Sequence, residues 1–214
     1  MFARSYLDRM VLKDDFGHLL DTAVSYGNLD EVVSRVEKRP WIARRRRLVY
    51  QATEHGHVEI AAFLLDHGAS PNQIRESGPR RTPLLTACEK GHLKLVELLL
   101  ERGADPTIAT PTGDTPLTVA CVKGDVEVVR CLLCHDATLS DLDHKTKVGT
   151  TAVGLACERN HPDVLKLLLE AGADPTEGRA KPINRAKCMG HKECVELLKV
   201  GQANEMMRKG LWMI

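Results

Sequence analysis

Aromatic side chains are scarce: three Phe, three Tyr and two Trp serve 214 residues. Large rings normally dominate the burial in a core, so this core must use small aliphatic side chains on closely spaced helices. That suits a pocket-bearing enzyme poorly. Long apolar runs are missing too, and none approaches the ~20 residues a helix needs to cross a bilayer. The opening stretch MFARSYLDRMVLKDDF is broken by charge and has no secretory h-region. Net charge is only +1, so no strong overall field steers the molecule toward nucleic acid or a membrane. The seven cysteines are an odd number without a small disulfide scaffold, which points to reduced thiols inside a cell. A cytoplasmic or nuclear location is therefore expected. Catalytic signatures are absent as well. There is no phosphate-cradling loop, no nucleophile elbow and no His-Glu-x-x-His, for which HKECVEL at 191 does not qualify. We expect no enzyme, no catalytic residue, no cofactor and no metal.

What is present is a repeat. Ala23, Ala52, Ala87, Ala120, Ala156 and Ala186 are spaced 29, 35, 33, 36 and 30 residues apart. Four positions after each comes Gly27, Gly56, Gly91, Gly124, Asn160 or Gly190. These are the residue types that take positive φ most cheaply, so the column reads as a helix end. Twelve positions after the anchors, from the second onward, lies a leucine column: Leu64, Leu99, Leu132, Leu168 and Leu198. Seventeen after them lies a second alanine column: Ala69, Ala104, Ala137, Ala173 and Ala203. Within one unit, TPLLTACEKG (82–91) offers a capping Thr, a Pro at the first helical position and apolar residues at helical spacing. HLKLVELLLERG (92–103) reads as a second helix ending on Gly103, and ADPTIATPTGD (104–114) as a hairpin-like loop.

The units TPLLTACEKGHLKLVELLLERGADPT and GDTPLTVACVKGDVEVVRCLLCHDAT resemble ankyrin repeats at the Thr-Pro-Leu, Ala, Gly-His and Leu-Leu positions. The resemblance covers roughly residues 17 to 204. It implies an all-α, ankyrin-like α-solenoid of stacked helix-turn-helix repeats joined by hairpin-like loops. One domain is expected over 1–214: a degenerate helical cap (1–40), core repeats (41–178), a degenerate last repeat (179–204) and a tail (205–214). The family's His two residues before the anchor Ala is replaced by Tyr50, Leu85, Thr118, Gly154 and Asn184, which leaves one inter-repeat tie unfilled.

The columns also settle the run CLLCH (131–135), which alone resembles a c-type haem attachment site. Cys131 falls in the column of Phe63, Leu98, Leu167 and Leu197 and is expected to be a buried small hydrophobe; Cys134 and His135 fall at exposed or variable positions. Cys88, Cys121 and Cys157 each follow an anchor Ala. Stacked helices ~8–10 Å apart hold them too far apart to pair. The same spacing rules out zinc on His57, His92, His161 and His191, to which we assign capping of the inter-helix turn. A redox role through Cys134 is a third, thiol-based reading of the chain.

The resemblance implies a non-catalytic protein–protein interaction scaffold or adaptor, monomeric on its own, that binds another protein through its concave groove and loop edge. Groove candidates are Glu54, His55, Glu89, Lys90, Val122, Lys123, Glu158 and Arg159. Loop-edge candidates are Arg44, Arg46, Arg81, Asp114 and Lys147. The stretch KRPWIARRRR (38–47) holds six basic residues in ten. It reads as a solvated rim or nuclear-import signal, as a dock for an acidic segment of a partner, or as an anion or nucleic-acid site through Arg44–Arg47. Nucleic acid is disfavoured because no aromatic stacking platform accompanies the charge. For the chain around the arginines two arrangements are open: a helix starting after Arg47, in the place of a capping Thr, or one starting at Pro40.

Overall fold

The computed structural model describes residues 19–45, 47–74, 80–178 and 181–208. Helix α1 covers 19–25 among the described residues and α2 spans Leu29–Lys38, with Leu20, Val24, Val32 and Val36 joining the core. A short 3-10 helix then spans Pro40–Arg44. Four helix pairs follow the same plan: α3 (Leu48–Glu54) with α4 (Val58–Asp66), α5 (Pro83–Lys90) with α6 (Leu93–Glu101), α7 (Pro116–Lys123) with α8 (Val126–Leu133), and α10 (Ala152–Glu158) with α11 (Pro162–Glu170). A short α9 (Asp136–Ser140) interrupts the series, and α12 (Pro182–Met189) with α13 (Lys192–Arg208) ends it. α13 continues past residue 204, into the stretch assigned to the tail. Helices α3, α5, α7, α10 and α12 pack in sequence as one row, and α4, α6, α8, α11 and α13 as a second. The described residues contain no strand, so the chain is the all-α solenoid the columns imply.

Local chemistry explains each start and stop. The hydroxyls of Thr82, Thr115 and Thr151 accept the amides of Leu85, Thr118 and Gly154, satisfying donors a helix N-terminus leaves open. Each inner helix ends as the glycine column requires: Gly91 has φ +71° and Asn160 takes the same region at +58°. Between the rows lies the core. Leu64, Leu99, Leu132, Leu168 and Leu198 are all fully buried, and the anchor alanines let neighbouring helices approach closely. Cys88, Cys121 and Cys157 are buried free thiols. Burial pushes all three up from the ordinary thiol value, Cys157 to about 12.

One expectation needs correction here, and one open alternative is resolved. Cys131 is half-buried, as are Phe63, Leu98, Leu167 and Leu197 in its column, because these positions flank the core stripe. In the second alanine column Ala69, Ala104 and Ala173 are buried, whereas Ala137 on α9 and Ala203 on α13 are half-buried. Around the arginines both proposed starts occur: the 3-10 helix begins at Pro40, and α3 begins after Arg47, which makes no side-chain cap.

Loops stack as regularly as helices. Asp105 Oδ1 accepts the amide (2.8 Å) and hydroxyl (2.7 Å) of Thr107, and Asp174 does the same for Thr176. The preceding loop supplies Asn72 Oδ1 to the Asp105 amide and Asp143 Oδ1 to the Asp174 amide. At the hairpin tips, Lys147 N–H donates to Thr112 O at 3.0 Å.

Candidate protein-binding groove

Helices α5 and α7 and the hairpin between them enclose a cleft of about 220 Å³. Leu85 and Glu89 reach it from successive turns of α5, Val119, Val122 and Lys123 from α7, and Asp114 from the hairpin. Arg81, just before α5, folds back onto Glu89 as an ion pair. Asp114 is held by the hydroxyls of Thr110 and Thr112. Five sequence candidates therefore share this cleft: Arg81, Glu89, Asp114, Val122 and Lys123. The mixture of an apolar floor with fixed charges at the mouth suits a side chain of another polypeptide.

The other candidates are spread along the same row and its edge. Glu158 accepts from Arg185 Nη2 of α12 at 2.8 Å. His55, Lys90 and Arg159 are exposed at the C-terminal ends of α3, α5 and α10, where the charges of Lys90 and Arg159 are favourable toward the helix dipole. Glu54, half-buried, ends α3, and the His55 ring lies over His57 with centroids 6.0 Å apart. Arg44 is exposed, with its guanidinium against the turn at Gly68 that closes α4. Lys147 is exposed at a hairpin tip. Arg47 lies 4.0 Å from Asp21 with both side chains partly solvated, a geometry that contributes little. Arg46 lies outside the described residues.

The histidine column does something the sequence reading missed. None of His57, His92 or His161 caps its own helix through the side chain. Instead each bonded ring reaches the carbonyl at the end of the preceding inner helix or its turn: His57 Nε2 to Ser25 O at 3.1 Å, His161 Nε2 to Val122 O at 3.2 Å, and His191 Nδ1 to Cys157 O at 2.8 Å. A carbonyl only accepts, so the ring nitrogen donates. These bonds replace the tie left open by the missing His before the anchor. They also explain why Gly124 must be glycine twice over, since a Cβ there would lie 2.5 Å from the His161 ring. The column was visible in the sequence; its reach to the neighbouring repeat was not. A second concavity of about 330 Å³ between α11 and α13, around Leu169 and Val200, carried no motif.

Stacked two-helix units with a cleft between inner helices define a helical-repeat solenoid. The family model described as ankyrin repeats (three copies) matches residues 20–110, 48–145, 104–179 and 138–208. The chain belongs to the ankyrin-repeat family. Such repeats are generally protein–protein interaction modules and typically non-catalytic. A comparison with curated proteins returned no match. Among the described residues no helix is long and apolar enough to cross a membrane.

Proposed function

We propose that the chain is a non-catalytic adaptor that holds a segment of a partner protein along the face formed by the ends of the inner helices and the hairpin edge. The observation that carries this reading is the α5–α7 cleft, where an apolar floor of Leu85, Val119 and Val122 sits beside Arg81, Glu89, Asp114 and Lys123. A floor of this kind receives a side chain, while the fixed charges select its neighbours. The test is site-specific photocrosslinking in cell extract. A benzophenone amino acid at Val122 is expected to trap a discrete protein that the same probe at Glu127, exposed on α8, does not trap. Identical products from both sites would overturn the groove reading.

A further inference from the structure

One column runs the length of the solenoid without serving its core. Three positions after the anchors stand Tyr26, His55, Lys90, Lys123, Arg159 and Met189, and every one is exposed. Two are large apolar side chains, Tyr26 at 86% and Met189 at 51%, and Lys90, Lys123 and Arg159 are successive cations. Among the described residues, none of the three cations has an ion-pair partner, although a carboxylate stands one residue before Lys90 and Arg159. Glu89 is engaged by Arg81 and Glu158 by Arg185, so internal arginines answer those acids and leave Lys90 and Arg159 free.

Resting on the groove reading above, we infer that this row reads an extended acidic segment of the partner, with carboxylates at every third residue. The spacing follows from two lengths. Packed helices lie ~8–10 Å apart, and a chain in the extended polyproline II form advances ~3.1 Å per residue with about three residues per turn, so every third side chain shares a face. About three residues therefore span one repeat, and carboxylates at i, i+3 and i+6 face Lys90, Lys123 and Arg159 in turn. Between the first two cations the cleft floor of Leu85, Val119 and Val122 takes an apolar side chain. A nucleic-acid backbone suits the row less well. Its charge is uninterrupted, whereas Glu89 and Glu158 sit beside two of the cations, and no aromatic ring lies among the three cations for a base to stack on.

The test is fluorescence anisotropy on the full chain with a labelled synthetic peptide bearing Glu at i, i+3 and i+6 and Leu between the first two. The control peptide has the same composition with its Glu residues contiguous. The spaced peptide is expected to bind more tightly than the contiguous one, and to weaken with rising salt as exposed charge pairs do. Lys90→Gln, Lys123→Gln and Arg159→Gln should each weaken it about two- to fivefold, while Lys94→Gln on α6 leaves it unchanged. Equal affinity for the two peptides, an equal loss from Lys94→Gln, stronger binding of a single-stranded oligonucleotide, or no saturable binding would overturn the inference. If the Val122 probe still traps a partner in that event, the groove reading stands and only the acidic register falls.

Discussion

The chain leaves α6 and α8 by different routes, although the two repeats are otherwise near copies. After α6 it turns at Gly103, with φ +81°, straight into the loop that carries Asp105. After α8 the equivalent position is Asp136, whose side chain makes that left-handed turn costly, and the backbone continues as α9. The longer connection that results carries its own contacts. Lys145 pairs with Glu177 at 2.6 Å, and His144 reaches Gly113 O at 3.1 Å. The helical core tolerates this change because each unit needs only its neighbours' faces. Loops diverge where helices cannot.

Breaking the shared part should cost most. Leu99→Ala and Leu132→Ala remove equivalent, fully buried side chains and should each destabilise by ~2–5 kcal/mol in urea titrations, whichever loop follows. A loss under ~0.5 kcal/mol at either would show that the two repeats do not share a core register. Next come the glycines that separate turn strain from contact. Gly103→Ala has no atom within 4 Å of its new Cβ, so it should cost only the left-handed strain, ~1–2 kcal/mol. Gly124→Ala meets the His161 ring and should cost clearly more; equal costs would mean the ring swings aside freely. Smaller again is the cap comparison. Thr82→Ala should lose ~0.5–2 kcal/mol, while Arg47→Thr should leave stability within ~0.5 kcal/mol, because Arg47 has helical backbone angles (φ −88°, ψ −27°) and a capping side chain needs an extended one.

Smallest at neutral pH is the thiol contrast. Exposed Cys134 and Cys188 should react with a disulfide reagent well before buried Cys88, Cys121 and Cys157. Burial raises Cys157 from 9.0 to about 12, so the folded state keeps a proton the unfolded chain releases. The stability this contributes is full below about pH 9 and is lost as pH rises toward 12. Flat stability across that window would contradict the burial of the thiol.

The columns made the solenoid legible because helix ends depend on single residues whose backbone chemistry is local. Thr82, Gly91 and Leu99 each do what their type and spacing imply. The extra helix after α8 was legible only by its missing glycine, and its length depends on packing that no local rule sets. The candidate groove was legible in part. Five candidates share the α5–α7 cleft because a two-helix unit fixes which positions face its neighbour. That Arg81 folds back on Glu89, and that Arg185 reaches Glu158 across a repeat, depends on side-chain reach that spacing alone does not specify.

The imidazole bonds bear on how the molecule carries tension. In a stack coupled only through neighbours, a pull on the two ends loads every junction in series. At three junctions a ring nitrogen crosses to the preceding unit, so separating the units breaks a hydrogen bond as well as apolar contact. At the junction of the α5–α6 and α7–α8 units the same place is held by Asp125, whose carboxylate is used on its own helix through Val128 N. The His92 ring lies against Gly56 and, among the described residues, bonds no carbonyl of the preceding unit. Both seams of the α5–α6 unit therefore rest on packing alone in that column, and a stretched chain should part first at one of them.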